Sequence, residues 1–290
     1  MVSRQPDLAA VVVHFGDDPA ALAQTTELVR CLERDATLCE VVLVDNGPGC
    51  HEWQATSTTI VEPGHNLGYG GGANAGIDVA IGHGAGDVVV LATDAIVAAG
   101  SLAALADAGG RVGAALSGPR IVYEDGQTVW ADGIAFDDRW AIARNRNKGQ
   151  AMASAVPPAE QVPLTGHVLV FHDPAGRPWL RFDPTFFMYY EDLDLCERVL
   201  AHGESIHFAP SVVVAHRKPG GHRHRFGATQ QFHMSRSGIV HLRRHANRRT
   251  LPLRIAGFLA LTAYRCLRAD SIRAAFAGAR GVIAGVRVPA

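Results

Sequence analysis

Four runs of β-branched residues within the first hundred positions constrain the fold more than any other feature: "LAAVVVHF" (8–15), "CEVVLVDN" (39–46), "TSTTIVEP" (56–63) and "DVVVLATD" (87–94). Between the first two lies "PAALAQTTELVRCLERD", which has helical periodicity and a Pro19 suited to a first turn. Before the fourth lies "ANAGIDVAIGHG", entered through a glycine-rich segment. Strands separated by helices of this length predict right-handed βαβ units, hence an α/β fold with a mostly parallel sheet flanked by helices. In such sheets ligands bind at the carboxyl ends of the strands. Those ends carry His14, Asp45 with Asn46, Glu62, and Asp94.

The rhythm changes after about residue 111. "VGAALSGPRIVYEDG" is followed by a polar, Trp-containing stretch and a loop at 148–161; "VPLTGHVLVFHD" then predicts a strand, and "EDLDLCERVLAHG" a helix closed by Gly203. "SIHFAPSVVVAHR" predicts a strand pair turning at Pro210. The division expected is a nucleotide-binding half at 1–110, an acceptor-binding and catalytic half of the same domain at 111–228, and a helical C-terminal arm at 229–290.

With 290 residues and 48% hydrophobic content the chain can bury a large core. Its five scattered cysteines form no C-x-x-C pair, which argues against a disulfide framework or zinc knuckle and for a reducing, cytoplasmic setting. The N-terminus lacks the organisation of a signal peptide. A formal net charge of −1 conceals an asymmetry: Asp270 is the one acid after residue 215, so residues 1–215 carry a net charge of −15 and residues 216–290 carry +14. A basic arm of this kind predicts contact with an anionic surface, either at the inner face of a membrane or on the acidic body of the protein itself, or a homodimer contact. Its most apolar part, "IAGFLALTAYRCL", is too short to span a bilayer. No nucleic-acid partner is expected.

Several motifs carry chemistry. "NLGYGGGANAG" (66–76) places Gly68, Gly70 and Ala73 at the spacing of a dinucleotide-binding turn, although that fingerprint normally follows a first strand rather than a third. The other reading is a glycine-rich helix entrance packed closely on the sheet. Asp45 and Asp94, at neighbouring strand ends, suit a nucleotide: one acid accepts from a base or ribose, and the other holds a divalent metal on a diphosphate. His216 ends a strand and opens a cationic loop of Arg217, Lys218, His222, Arg223, His224 and Arg225, suited to gripping a diphosphate. In "FFMYYEDLDLCERV" an aromatic run, read as a buried strand, leads into a helix whose first turn carries Glu191, Asp192 and Asp194. No G-x-S-x-G, Walker loop or H-E-x-x-H occurs, which counts against serine hydrolases, P-loop enzymes and zincins.

In order and spacing, "LVDNGP" (43–48), "HNLGYGGGANAGI" (65–77), "LATDA" (91–95), "FDPTFFMYYEDLDLCERV" (182–199) and "VVVAHR" (212–217) resemble the glycosyltransferase family 2 pattern, particularly its bacterial rhamnosyltransferase-like members. That resemblance implies a GT-A fold and an inverting transfer of sugar from a nucleoside-diphosphate donor to a hydroxyl of a glycan, lipid or small natural product. It implies Asp45 at the nucleobase, and Asp94 with His216 at a divalent metal, Mg or Mn. Asp192 becomes the general base, with Glu191 and Asp194 orienting or anchoring the acceptor. The nucleotide-sugar set it implies is His14, Asp45, Asn46, Asn66, Gly68, Gly72, Asn74, Thr93, Asp94 and Arg217. Where the subgroup has Asn-Pro-Asp, this chain has Ala92-Thr93-Asp94, leaving a lone carboxylate. Two other classes stay open: a NAD-dependent oxidoreductase resting on the glycine spacing, and a non-catalytic sugar-nucleotide-binding or scaffold protein resting on the thinned metal motif.

Overall fold

The computed structural model describes residues 7–47, 51–53, 56–137, 142–158, 161–217, 227–247, 249–268 and 272–289. Of the cationic loop, Lys218, His222, Arg223, His224 and Arg225 lie outside these described residues.

The N-terminal elements follow the sequence pattern. β1 (Leu8–His14), α1 (Pro19–Glu33), β2 (Glu40–Asp45), β3 (Thr59–Val61), α2 (Gly68–Gly82) and β4 (Asp87–Ala92) build a parallel sheet ordered β3-β2-β1-β4. Alternation along each strand feeds two cores. Val11, Val13, Val42 and Val44 face Ile77 and Ala80 of α2, while Ala10, Val12, Val41 and Leu43 belong with Leu28 and Leu32 of α1.

Beyond β5 (Ala95–Ile96) and α3 (Ser101–Arg111) come β6 (Leu116–Tyr123), β7 (Val129–Ala131), the hairpin β8 (Ile134–Asp137) and β9 (Ile142–Asn145), and β10 (Val168–His172). α4 (Glu191–Ala201) and β11 (Ile206–His216) follow. β10 runs antiparallel between β4 and β6, β11 pairs parallel with β6, and the sheet continues β4-β10-β6-β11-β5. The sheet is therefore α/β as expected, but mixed beyond β4.

Two local expectations change. "SIHFAPSVVVAHR" is one strand, not a pair; Pro210 sits in a register shift between Ala209 and Val213, where its missing N–H costs no ladder bond. The aromatic run before α4 is a chain of turns and bends rather than a strand, because Tyr189 and Tyr190 both adopt φ of +67°.

The C-terminal arm is helical: α5 (Ala228–His245), α6 (Leu251–Arg268) and α7 (Ile272–Arg287). α5 packs against α6 and α7 around Ile239, Leu242, Phe258 and Val282. It also grips the acidic body. His245 pairs with Asp194 at 2.9 Å, and Arg244 pairs with Asp183 at 2.5 Å. Among the described residues no helix is long and apolar enough to cross a membrane.

Glycines in α2 are an instance of packing overriding propensity. A Cβ on Gly76 would lie 2.3 Å from Val11 Cγ1 and 2.9 Å from Val44 Cγ2, so α2 approaches β1 and β2 only without one. Gly82, at the exposed end of the same helix, has nothing within 4 Å of its Cβ position. Gly76→Ala is therefore expected to lower stability by about 1–3 kcal/mol through overpacking, whereas Gly82→Ala should raise it by about 0.5–1 kcal/mol; urea unfolding distinguishes the two signs.

Candidate active site

Strand polarity assembles the centre. Because β10 is antiparallel to β4, its beginning lies beside the end of β4, and the Ala92 N–H donates to the His167 carbonyl at 2.9 Å. His216 closes β11 opposite Ala95 of β5, immediately after Asp94. Asp94 consequently stands between two imidazoles: Oδ1 is 3.3 Å from His167 Nδ1, and Oδ2 is 3.1 Å from His216 Nε2. Candidate ligand atoms of all three residues lie within 4.8 Å of one another. Trp130 stacks on His216 at 4.5 Å with rings 10° from parallel, which fixes the imidazole plane.

Burial alone would raise the pKa of Asp94, but the hydrogen bond from His216 and the two neighbouring imidazoles outweigh it and hold the carboxyl below its usual range. Burial pushes His167 down to about 4, so it is a neutral imidazole at pH 7. His167 Nε2 and His216 Nδ1 are buried without a hydrogen-bond partner. Two imidazoles and a carboxylate fit a divalent cation, and the imidazoles suit Mn²⁺ better than Mg²⁺. His167 is the residue sequence reading missed; its signal was a histidine immediately before "VLVF", which becomes informative only once β10 is known to lie beside β4.

A cleft of about 870 Å³ opens on this centre, lined by Asn46, Asn66, Asp94, Trp130, His167, Glu191 and Asp192 among others. The start of α4 also lines it. Asp192 Oδ2 accepts from the Gly166 N–H and Oδ1 from the Leu193 N–H, both at 2.8 Å, so the carboxylate is held in a fixed orientation. The Tyr69 hydroxyl donates to the Gly166 carbonyl at 2.5 Å, tying α2 to the same loop. Both Glu191 and Asp192 line the cleft, although adjacency on a helix was expected to turn one away. Burial and then the neighbouring Asp192 charge raise Glu191 to about 8. Burial also raises Asp192, against the two N–H groups that favour its ionised form. A helix N-terminus favours an ionised Asp192; desolvation opposes it here.

The backbone ahead of α4 is strained. Tyr189 and Tyr190 sit in the left-handed region, at a cost of about 1–3 kcal/mol each, and are held by contacts on every side. The Tyr69 N–H donates to the Phe187 carbonyl at 3.0 Å, the Ser237 hydroxyl to the Met188 carbonyl at 2.8 Å, and Arg236 to the Thr185 carbonyl at 2.8 Å. A Cβ on Gly68 would lie 2.1 Å from the Phe187 oxygen, so this glycine is required by close approach as well as by its φ of +76°.

Other expected site residues have different surroundings. Asp45 is fully buried, and its Oδ2 accepts from the His51 N–H at 3.2 Å, His51 Nδ1 at 2.7 Å and Trp53 Nε1 at 3.0 Å. Both nitrogens of His14 are engaged, with Thr25 and the Gly16 carbonyl. Asn74 clamps Phe182 through two backbone bonds, and Arg217 pairs with Glu27 at 2.8 Å. Asn46 and Asn66 line the cleft while holding the 66–68 turn. Gly72 packs against Asn46 and Val13. Thr93 precedes Asp94 in the turn after β4. Gly68, Gly70 and Ala73 lie inside α2 against Phe187, Phe182 and the core, so they form no open phosphate-binding turn.

The chain aligns over 98% of its length with 81% of a mannosyltransferase, PcManGT, from Pyrobaculum calidifontis in complex with GDP-Man and Mn²⁺, at a TM-score of 0.51 and 14% identity. It aligns over 92% of its length with GalNAc-T7 in complex with UDP, GalNAc and Mn²⁺, at a TM-score of 0.57 and 13% identity. The chain has a GT-A fold. It spans 58% of the length of GalNAc-T7. No family model matches the chain, and no curated protein matches it. At these identities what is shared is the GT-A fold itself, and the site is argued from its own residues.

The raised Glu191 makes a signed prediction. Its folded value of about 8 exceeds the ordinary 4.5, so the folded state keeps a proton that the unfolded state releases, and stability falls as pH rises through that window. His245, opposed by burial but raised to about 9 by its bond to Asp194 and the neighbouring Glu197 carboxylate, adds a loss of the same sign between 6.5 and 9. Glu191→Gln should flatten the decline between pH 4.5 and 6.5, where the wild-type slope approaches about 1.4 kcal/mol per pH unit, lessen it between 6.5 and 8 where both groups contribute, and leave the part above 8 that belongs to His245; urea unfolding across pH in the presence of chelator measures all three.

Proposed function

We propose that the protein is an inverting glycosyltransferase of family 2 type, moving a hexosyl or deoxyhexosyl group from a nucleoside-diphosphate sugar to an acceptor hydroxyl. One observation carries this reading. A carboxylate flanked by two imidazoles and a buried, oriented carboxylate pair meet at the same cleft. The first arrangement suits a diphosphate leaving group, and the second an acceptor that must lose a proton. The sequence motifs in family order, and the mannosyltransferase and GalNAc-T7 complexes with nucleotide and Mn²⁺ on the same fold, support the choice.

Asp94, His167 and His216 are the residues that would hold a divalent cation. Bound there, such an ion neutralises charge developing on the departing diphosphate. Asp192 is the proposed general base: each oxygen already accepting one backbone N–H keeps a lone pair for the acceptor proton, and fixed orientation costs no reorganisation during reaction. Glu191, protonated near neutral pH, donates to or orients the acceptor instead. Tyr190 and Trp130 offer apolar walls to a sugar ring. Asp45 enters as the acid that fixes His51 and Trp53 beside the end of β2, with its second oxygen, buried and unpartnered, as the nucleobase acceptor. A sugar-nucleotide-binding protein without turnover is the competing reading. An oxidoreductase loses its support, since the glycine spacing lies within a packed helix.

The acceptor is proposed to be presented at an anionic membrane surface. Leu253, Phe276, Ile283 and Val286 are exposed on α6 and α7, alongside the exposed Arg273, Arg280 and Arg287, and Tyr264 of α6 also lines the cleft. An apolar stripe with arginines and no acid among its described residues matches acidic lipid head groups.

Asp192→Asn should reduce turnover by about 10²–10⁴-fold with donor binding nearly unchanged, while Glu191→Gln costs less; a dead Glu191→Gln beside an active Asp192→Asn would move the base. Stabilisation of the protein by nucleoside diphosphates in thermal-shift titrations is expected to require Mn²⁺, and to be lost with chelator or in Asp94→Asn. Anionic vesicles should sediment the protein and neutral ones should not; failure of both leaves the exposed stripe as a contact between copies.

A further inference from the structure

Away from the cleft centre, α4 and α5 bring together a second set of ligand-type side chains that the proposed reaction does not use. His241 and His245 are four residues apart on one face of α5, and Glu197 projects from α4 toward both. Glu197 Oε2 lies 3.0 Å from His241 Nε2 and 2.8 Å from His245 Nδ1. The ligand atoms of the three residues fall within 4.8 Å of one another. We propose that Glu197, His241 and His245 form a second divalent-metal site, selective for a borderline transition ion such as Zn²⁺, which pins α5 to α4.

Three features favour an ion over a plain ion-pair cluster. Short separations here lack hydrogen-bond geometry: Glu197 Oε2 and both ring nitrogens of His241 are buried with no hydrogen-bond partner. His241 is only 1% exposed, so an unpartnered polar ring is costly there unless something bonds to it. His245 uses its other nitrogen, Nε2, on Asp194 Oδ1 at 2.9 Å, and Asp194 in turn accepts from Arg198 Nε at 2.8 Å. A carboxylate behind one ring nitrogen, with the other aimed at a shared carboxylate oxygen, is the arrangement that orients a metal-ligating histidine. Two imidazoles and one carboxylate favour Zn²⁺, Co²⁺ or Ni²⁺ over Mg²⁺ or Ca²⁺. Glu197 and His245 are each about a quarter exposed, which provides an entry path and room for a water as fourth ligand.

Placement gives the site its consequence. His241 packs 5.1 Å from Phe136 and 5.5 Å from Tyr190, the left-handed residue that introduces Glu191. An ion joining α4 to α5 thus braces the strained turn through the His241 contact with Tyr190. Binding displaces a proton from His245 Nδ1, which in the metal-free protein can be shared with Glu197.

The test uses the full chain, stripped with chelator and dialysed, carrying Asp94→Asn so that the cleft site is weakened. Co²⁺ titration of this variant is expected to develop visible d–d absorption with a stoichiometry of one, displaced by Zn²⁺, and micromolar Zn²⁺ should raise Tm. Adding Glu197→Gln, a conservative change at a half-buried position, should weaken Co²⁺ binding at least tenfold; His241→Ala should abolish it. Should His241→Ala fail to fold, the Glu197→Gln comparison decides alone. Absence of Co²⁺ absorption and of any Zn²⁺ effect on Tm in Asp94→Asn would overturn the proposal, as would unchanged affinity in the Glu197→Gln background. Nucleotide-dependent Mn²⁺ binding by the chain with native Asp94 is a separate readout, so failure here leaves the glycosyltransferase reading untouched, and the reverse.

Discussion

The polarity of one strand organises the molecule. β10 is inserted antiparallel between β4 and β6, so the start of β10 meets the end of β4 instead of lying at the far edge of the sheet. This reversal puts His167 within reach of Asp94. The parallel β6-β11 pair then delivers His216 from the opposite side, since β11 ends where β6 ends and β5 anchors that end beside Asp94. An all-parallel sheet would offer only strand C-termini and loops at this edge. The mixed sheet supplies a strand beginning as well, and with it a third ligand-type side chain for a chain whose sequence shows a single acid there.

Glycine has a second organising role, as a means of bringing backbones together rather than of cradling phosphate. Gly68 meets the Phe187 carbonyl, Gly70 faces Phe182 and Gly76 faces Val11, so α2 is drawn onto both the sheet and the loop ahead of α4. Each such contact replaces side-chain volume by close dispersion contact. Together with Ser237, Arg236 and Arg244 from α5, this packing holds two consecutive tyrosines in a conformation they would not adopt alone. The strain is spent on position: it turns the chain sharply enough that α4 begins with Glu191 and Asp192 both in the cleft.

The C-terminal helices are thereby built into the body of the fold, and Met234 and Tyr264 line the cleft. The charge asymmetry visible along the chain is resolved partly within the fold, where Arg244 and His245 meet Asp183, Asp194 and Glu197. Arg273, Arg280 and Arg287 of α7 stay exposed next to apolar side chains.

Local periodicity was sufficient for the parallel strands β1 to β4 and for α1 and α4, because short-range patterning is encoded within a few residues; the grouping of Asp94, Glu191, Asp192 and His216 rested on the family resemblance of the motifs. Periodicity did not reveal the direction of β10, and so left His167 and Trp130 unseen; it read β11 as a hairpin because Pro210 signals a turn as readily as a register shift. The resemblance implied His14, Asn74 and Arg217 at the nucleotide sugar, and it did not show their hydrogen bonds to Thr25, Phe182 and Glu27. The same limit hid the meeting of Glu197 with His241 and His245, more than forty positions apart in the chain. Composition and periodicity determined which elements exist; only tertiary packing decided which side chains converge, because long-range strand pairing and helix docking depend on the shape of the whole core and leave no local trace.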